Sequence, residues 1–413
     1  MMSGRIDSML VSRPSLKKAL RVVRRDQCTV QLGIDPERAV VFRTPSTRVV
    51  ELIQHLDGRA DLVTLARRHD LPVAAVQQVV RELSAAGVLD STPVAAVPVA
   101  AGPAAAGPAA TGPAATGTVT GRSERTMRRL GVALAEHRRR LEPDLAAWSL
   151  LDAAPDGGAA ELDRRAAATV AVVGGGRLGT AIGLLLASAG IGGLVAEDDR
   201  IVRHSDRVPA GLGADDVGRP RRTGLRRRLA EVAPGTRLLS EHPAPDLVVV
   251  TDGGADRDLV TALQQAGTPH LVVGIRETVG SVGPLVEPGT TSCVRCHDLT
   301  RTDRDPAWPL VVDQLAAAAR APVRLRAVDG STPRTDLTGD KVRGVPVGAP
   351  AVEACDAVLA TLVAAAAALH LLTWLRGEPP PSIDGTVEFR LPDGHGRRRS
   401  WAPHPACHCL RGE

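Results

Sequence analysis

Between Ala168 and Asp199 the chain reads ATVAVVGGGRLGTAIGLLLASAGIGGLVAEDD. Thr169 to Val173 is an apolar, β-branched run that predicts a buried strand. Gly174, Gly176 and Gly179 then supply a G-x-G-x-x-G spacing, and Leu178 to Ala189 continues as a small-residue helix that Gly190 ends. Glycines so placed let the backbone approach a ligand closely, and the helix behind them presents unpaired N–H groups to a phosphate. A second strand, Gly193 to Ala196, runs into Glu197, Asp198 and Asp199. That order sets a carboxylate about twenty residues past the glycines, where a nucleotide ribose is gripped. It predicts a nucleotide-binding fold and leaves the identity of the nucleotide open.

The same alternation continues downstream. Pro220 to Val232 predicts an arginine-rich helix, Asp246 to Val250 a buried strand leading to Thr251 and Asp252, Asp256 to Gln265 a helix, and Leu271 to Ile275 another strand. A mainly parallel sheet with helices on both faces follows. From Val279 to Pro288 the pattern changes to a hairpin, and Thr386 to Leu391 with the run around Ser400 predicts antiparallel strands closing the sheet. The fold class is therefore α/β and Rossmann-like, with a small N-terminal α+β domain besides.

That first domain is expected over residues 1–91. Leu20 to Arg24, Cys28 to Gly33 and Ala39 to Arg43 are short β-rich runs with the turn Ile34-Asp35-Pro36 between the last two. Helical patterns follow at Thr47 to Leu56, Asp61 to His69 and Val73 to Ala86, the last with Val73, Val76, Val79, Val80, Leu83 and Val88 on one face. A meander followed by three helices is a winged-helix-like plan that binds DNA or peptide. The third helix carries only Arg81, opposed by Glu82, so it lacks the basic face of a DNA reader. A peptide would instead add to the third strand as to a sheet edge. QLGIDPERAVVF, the helix ending HLDG, and VVRELSAAGVLDS resemble the PqqD-type element that holds leader peptides of ribosomally made, modified peptides. A wing without any ligand is the alternative.

From 92 to 121 the sequence is nearly all Ala, Pro, Gly, Val and Thr, with GPAA recurring at Gly102, Gly107 and Gly112. Such sequence buries no core and predicts an extended linker. Arg125 to Leu141 predicts a basic helix with a solvated face, and residues 122–413 are expected to form the second domain.

The formal net charge of +5 is spread among interleaved Arg, Asp and Glu, and the chain has Phe 2, Trp 4 and Tyr 0. Nucleic acid is not an expected partner, because single-strand binders need aromatic stacking platforms. Ala357 to Leu375 is long enough to span a bilayer but is mostly alanine and holds His370, so a buried core or dimer helix is expected rather than a membrane span. Met1 to Lys18 has no continuous apolar core, which predicts a cytoplasmic protein.

Of the 6 cysteines, Cys293 and Cys296 form a C-x-x-C and Cys407 and Cys409 a C-x-C. Two such pairs provide four soft ligands for a tetrahedral structural Zn²⁺, and His404 or His408 could replace one of them. Unrelated pairs in loops are the alternative. Cys355 precedes a helix, where a thiol can become nucleophilic, but Asp356 beside it disfavours the thiolate. Cys28, in a predicted strand, is read as core.

Taken in order, VVGGGRLGTAIGLLLASAGIGGL, EDD, DDVGRPR, DLVVVTD and the cysteine pairs resemble the ThiF/MoeB family, bacterial relatives of ubiquitin-activating enzymes. The resemblance covers about Arg122 to the end. It implies adenylation, with Mg-ATP, of the C-terminal carboxylate of a peptide or small carrier protein, and a homodimer. It implies that Asp198 holds the ribose, that the Gly174, Gly176 and Gly179 turn hugs the phosphates, and that Asp252 orients Mg²⁺. The sequence departs from the family where a second acid is Arg200, where S-N-L-x-R-Q becomes Ser205-Asp206-Arg207-Val208-Pro209, and where a catalytic Lys is Arg221. Arg207 and Arg221 are the residues left to serve the phosphates. Three readings result: an adenylating enzyme; a catalytically degenerate scaffold that presents a leader peptide to a cyclodehydratase-type partner; and an NAD-dependent oxidoreductase, against which the cysteine pairs and DDVGRPR argue.

Overall fold

The computed structural model describes residues 13–35, 37–90, 139–151, 158–196, 198–239, 244–254, 256–319 and 354–410. The expected linker at 92–121, the larger part of the expected Arg125 to Leu141 helix, and Glu197 lie outside the described residues. By contacts the chain divides into one unit of Met1–Lys17 and His55–Arg140 and another of Lys18–Gln54 and Leu141–Glu413.

In chain order the first elements are β1 (Ser15–Leu16), β2 (Val22–Arg24), β3 (Thr29–Leu32), β4 (Val40–Arg43), α1 (Thr47–Gln54), α2 (Leu62–Arg68), α3 (Val73–Ala85) and β5 (Leu89–Asp90). Next come α4 (Glu142–Ser149), α5 (Ala159–Ala167), β6 (Thr169–Val173), α6 (Arg177–Ser188), β7 (Gly193–Val195), α7 (Arg221–Val232), β8 (Arg237–Leu239) and β9 (Leu247–Val250). The last are α8 (Arg257–Gln265), β10 (His270–Arg276), β11 (Val279–Val286), α9 (Val294–Arg304), α10 (Trp308–Ala319), α11 (Ala357–Leu375), β12 (Gly385–Arg390) and β13 (Gly396–Ser400).

In the smaller unit β1 pairs antiparallel with β5. Asp61 caps α2 by accepting the Thr64 N–H at 2.7 Å, satisfying one of the donors a helix start leaves open. The apolar periodicity of α3 buries Val76, Val79, Val80 and Leu83, whereas Val73, in its first turn, is 38% exposed and lies outside the buried face.

The larger unit is built on an eight-stranded sheet ordered β13-β12-β11-β10-β9-β6-β7-β8. β10, β9, β6, β7 and β8 run parallel, and β11, β12 and β13 extend the sheet antiparallel. This is the Rossmann-like plan with closing strands that the sequence predicts. Chain order reverses between β6 and β9, so the glycine turn after β6 opens at the switch point where such sheets bind ligands. β6 and β9 are wholly buried, which their unbroken Val-rich runs require of strands covered on both faces.

α11 packs into the same core through Leu359, Val363, Ala364, Ala367, Leu371 and Leu372. It is the one helix among the described residues long and apolar enough to cross a membrane, yet half of its most apolar stretch is already buried within the protein.

The meander β2-β3-β4 belongs to this larger unit. The Gln314 amide from α10 accepts the Arg24 N–H at 2.9 Å and donates to the Arg24 carbonyl at 2.8 Å. Glu277 accepts the Ile34 and Asp35 N–H groups, and Arg390 of β12 grips the Asp35 carboxylate at 3.1 and 3.2 Å. Val23, Ile34, Val311 and Leu315 close over the contact with Trp308.

Within α5, Glu161 accepts the Arg165 Nε–H at 2.7 Å with both side chains only 1% exposed, and Trp148 stacks on the Arg165 guanidinium at 4.6 Å. Removing one member leaves a buried charge without its partner. Glu161→Ala should therefore cost about 3–5 kcal/mol, read as a lowered urea midpoint of the full chain, whereas Asp163→Ala on the same helix should leave the midpoint within about 0.5 kcal/mol.

Candidate functional site

The cradle begins where β6 turns into α6. Gly174 holds φ +98°, and a Cβ on it would lie 2.3 Å from Thr251 Oγ1. A Cβ on Gly179 would lie 1.7 Å from the Gly174 carbonyl oxygen, so no other residue lets the helix sit this close to the turn. Thr251 Oγ1 donates to the Val173 carbonyl at 2.8 Å, tying the ends of β6 and β9 together beneath the turn. Arg177, in the first turn of α6, donates to the carbonyls of Ser205 and Cys355 and so fixes two loops to the mouth of the cradle.

Asp198, at the end of β7, faces the turn, and its carboxylate is fully engaged. One oxygen accepts the Gly175 N–H at 2.8 Å, Arg200 Nη2 at 2.6 Å and Arg221 Nη1 at 3.0 Å; the other accepts Arg200 Nε at 2.8 Å and the Arg200 backbone N–H at 3.0 Å. Arg221 also donates to Asp206, with Nη2 at 2.9 Å from both carboxylate oxygens and Nε at 3.1 Å from one. The sequence departures at positions 200, 206 and 221 thus meet in one network, Arg200–Asp198–Arg221–Asp206. Burial pushes the Asp198 carboxyl up, but hydrogen bonds and charge from Arg200 and Arg221 outweigh it and hold the group down at about 2. The associated stabilisation is present above about pH 4, the unfolded value, and is lost as pH falls toward 2. At neutral pH the network is closed.

The other sequence candidates lie around it. Asp252, exposed after β9, accepts the Gly254 and Asp256 N–H groups at 2.8 and 2.9 Å through its two oxygens. Arg207 is exposed and makes no hydrogen bond or ion pair among the described residues. Pro209 brings no charge. Cys355 stands before α11, whose open N–H groups at Val358 and Leu359 are already taken by Asp356, each at 2.9 Å. Cys28 lies one residue before β3 and is half-buried rather than in the strand core.

Far along the chain, the sulfurs of Cys293, Cys296, Cys407 and Cys409 all lie within 4.8 Å of one another. Cys293 to Cys296 is 3.9 Å, Cys293 to Cys407 3.6 Å and Cys296 to Cys409 3.4 Å. A tetrahedron with Zn–S bonds of about 2.3 Å has edges of about 3.8 Å, so the donor set fits that ion. Donation from Cys293 pulls the Cys296 thiol down to about 4, while burial lifts Cys409 to about 12. Four thiols in one small space cannot all ionise without a cation among them. The His404 ring, an alternative ligand by sequence, instead bonds Asp303 at 2.9 Å and accepts the Ala406 N–H.

A doubly wound sheet with a glycine turn at its switch point, an acid across from it and four clustered thiols defines a nucleotide-binding-type α/β protein with a four-cysteine cluster of a size that could hold a metal ion. The ThiF family model matches residues 151–410, more than half of the chain, and the chain belongs to the ThiF family. No curated protein matches it. Among solved structures, Escherichia coli MccB with ATP is 14% identical at a TM-score of 0.45, over 96% of this chain and 99% of that one. The microcin C7 biosynthetic enzyme MccB in complex with N-formylated MccA is 13% identical at 0.44, over 96% and 99%. PaaA is 16% identical at 0.44, over 93% and 99%.

Gly174, Gly176, Gly179, Asp198 and Arg221 thus come together at one mouth, and the four cysteines at a second place. What sequence reasoning missed is that Asp206 and Arg221 are partners. They stand fifteen positions apart with a loop between them, and no helical or strand spacing announces such a pair.

Protein purified without chelator should carry one zinc per chain. Chelation, or Cys296→Ala, should lower the melting temperature, and acidification should release the ion because protons compete for thiolates. Metal analysis across a pH series checks this.

Proposed function

We propose that this chain is a peptide-binding ThiF-family protein that presents its peptide to a separate modifying enzyme of the cyclodehydratase type, with the acyl-adenylation step of the family disabled. The observation that carries this reading is the closed Arg200–Asp198–Arg221–Asp206 network. The cation expected to stabilise a transferring phosphate is held by two carboxylates, the carboxylate expected to grip the ribose is held by two arginines, and Pro209 supplies no replacement. Losing one well-placed phosphate donor costs about 10²–10³ in rate, and here more than one is lost. The peptide, in this proposal a leader of the kind that PqqD-type elements hold, adds to β4, the outer strand of the meander, where Val41 is 43% exposed.

A second reading has specific support. The glycine turn and exposed Asp252 keep the parts that would hold ATP and Mg²⁺, which together would supply the activated α-phosphate for a peptide or carrier carboxylate. In that case Arg221 would turn from Asp206 toward the phosphate, with Arg207 beside it. A homodimer, a cytoplasmic location and zinc at the four cysteines are part of either proposal.

Pyrophosphate exchange separates them. With peptides the protein binds, the natural sequence should give no exchange, and the variant Asp206→Asn/Pro209→Arg/Arg221→Lys, which restores the family pattern, should gain it. Robust exchange by the natural protein would instead establish the enzyme. Arg200→Ala, relieving one competitor for Asp198, should tighten ATP binding by up to about fivefold, since an exposed ion pair is worth about 1 kcal/mol or less; calorimetric titration reads this directly.

A further inference from the structure

A second charged site lies in the larger unit beyond Asp252, built by β10, α8, α9 and α10 and the residue after β13. Arg301 of α9 has its guanidinium carbon 4.9 Å from the ring centroids of both Trp308 and Trp401. It makes no hydrogen bond and no ion pair among the described residues, and its nitrogens are not sealed from solvent. The side chain of Arg276, at the end of β10, makes one hydrogen bond among the described residues, from Nη2 to the Gly253 carbonyl at 2.8 Å, which anchors it next to Asp252. The nearby carboxylate is already spent: Asp298 takes Arg257 in a two-point pair at 2.8 and 2.9 Å and the Trp308 indole N–H at 3.0 Å. Glu388, the other acid that Arg301 feels, is held by Arg390 and Arg399. Burial, then repulsion from Arg301 and Arg257, lowers Arg276 to about 10, and burial lowers Arg301 as well.

A guanidinium lying against two indole rings is restrained. Arg276 is near enough to feel its charge, and its own anchor, the Gly253 carbonyl, adjoins Gly254, against which Arg257 of the Asp298 pair lies, so two guanidiniums with donors to spare serve one neighbourhood. We propose that Arg301 and Arg276 form a carboxylate-binding site for the peptide partner, with Trp308 and Trp401 holding the Arg301 guanidinium in place. The Arg257–Asp298 pair beside it shows the two-point geometry that a carboxylate adopts against a guanidinium here. Indole rings beside the guanidinium suit an organic acid, and resident Asp298 and Glu388 disfavour a multiply charged phosphate. The identity of the occupant rests on the peptide-binding reading above, but the site itself is tested with small probes that need no knowledge of that peptide.

The probes are N-acetyl-dialanine, its C-terminal amide, N-acetyl-aspartic acid diamide with only a side-chain carboxylate, and inorganic phosphate, titrated into the full chain. Tryptophan emission and the arginine Nε–H signals of a nitrogen-labelled sample are followed. Binding of N-acetyl-dialanine but not of its amide supports the site and assigns it to a chain terminus; binding of the aspartate probe supports it and assigns it to an acidic side chain. Arg301→Gln and Arg276→Gln should each weaken binding about ten- to a hundredfold, as loss of a charge-assisted pair entails, and Arg301→Lys should recover part of it. Equal responses to acid and amide, tighter binding of phosphate, or unchanged binding in a folded Arg301→Gln protein would overturn the proposal. Failure of peptide binding at β4 with these probes still bound would overturn the peptide reading alone.

Discussion

Two carboxylates share one arginine at the mouth of the cradle, and the local structure follows from that economy. Arg221 is the first residue of α7, with its side chain 11% exposed, and it bridges Asp198 and Asp206 from that position. The loop between β7 and α7 is drawn against the glycine turn as a result. Arg177 reinforces the closure from the other side by holding the Ser205 carbonyl. The four charges of this network are paired with one another, so any charged ligand at the turn would compete with them for the same donors.

The parts legible in the sequence are those governed by local periodicity. Unbroken Val-rich runs foretold β6 and β9, glycine spacing foretold the turn at Gly174, short β-rich runs parted by a turn foretold the meander, and the change of pattern after Val279 foretold the antiparallel strands. C-x-x-C and C-x-C spacing foretold a four-thiol cluster even though Cys296 and Cys409 are more than a hundred residues apart, because paired thiols have few other uses. The meeting of Asp206 with Arg221, and of Arg301 with Trp308 and Trp401, was not legible. Each of these residues reads as an ordinary solvated charge or packed ring until the sheet brings their elements together. Single residues separated by loops carry no period, so only the tertiary fold reveals the pairing.

The cysteine cluster and the meander solve one problem by different means. The antiparallel extension β11-β12-β13 ends in an edge strand with largely exposed arginines, Arg397 and Arg398, a charge pattern that discourages pairing with another chain. Immediately beyond it, Trp401 and the Cys407 and Cys409 loop return to α9. The end of the described chain is thus fastened to the helix carrying Asp298 and Arg301, and a metal bound there would also stiffen the arginine site.

One side chain has a bearing on geometry wider than its size suggests. The Gln314 amide meets both the N–H and the carbonyl of Arg24, doing for the outer side of β2 what a neighbouring backbone would do. The meander is thereby given a polarity: one margin is occupied by an impersonating side chain, and among the described residues no strand pairs with the other. Growth of that small sheet could then proceed in a single direction only, and endless strand-by-strand stacking between copies is denied its second face.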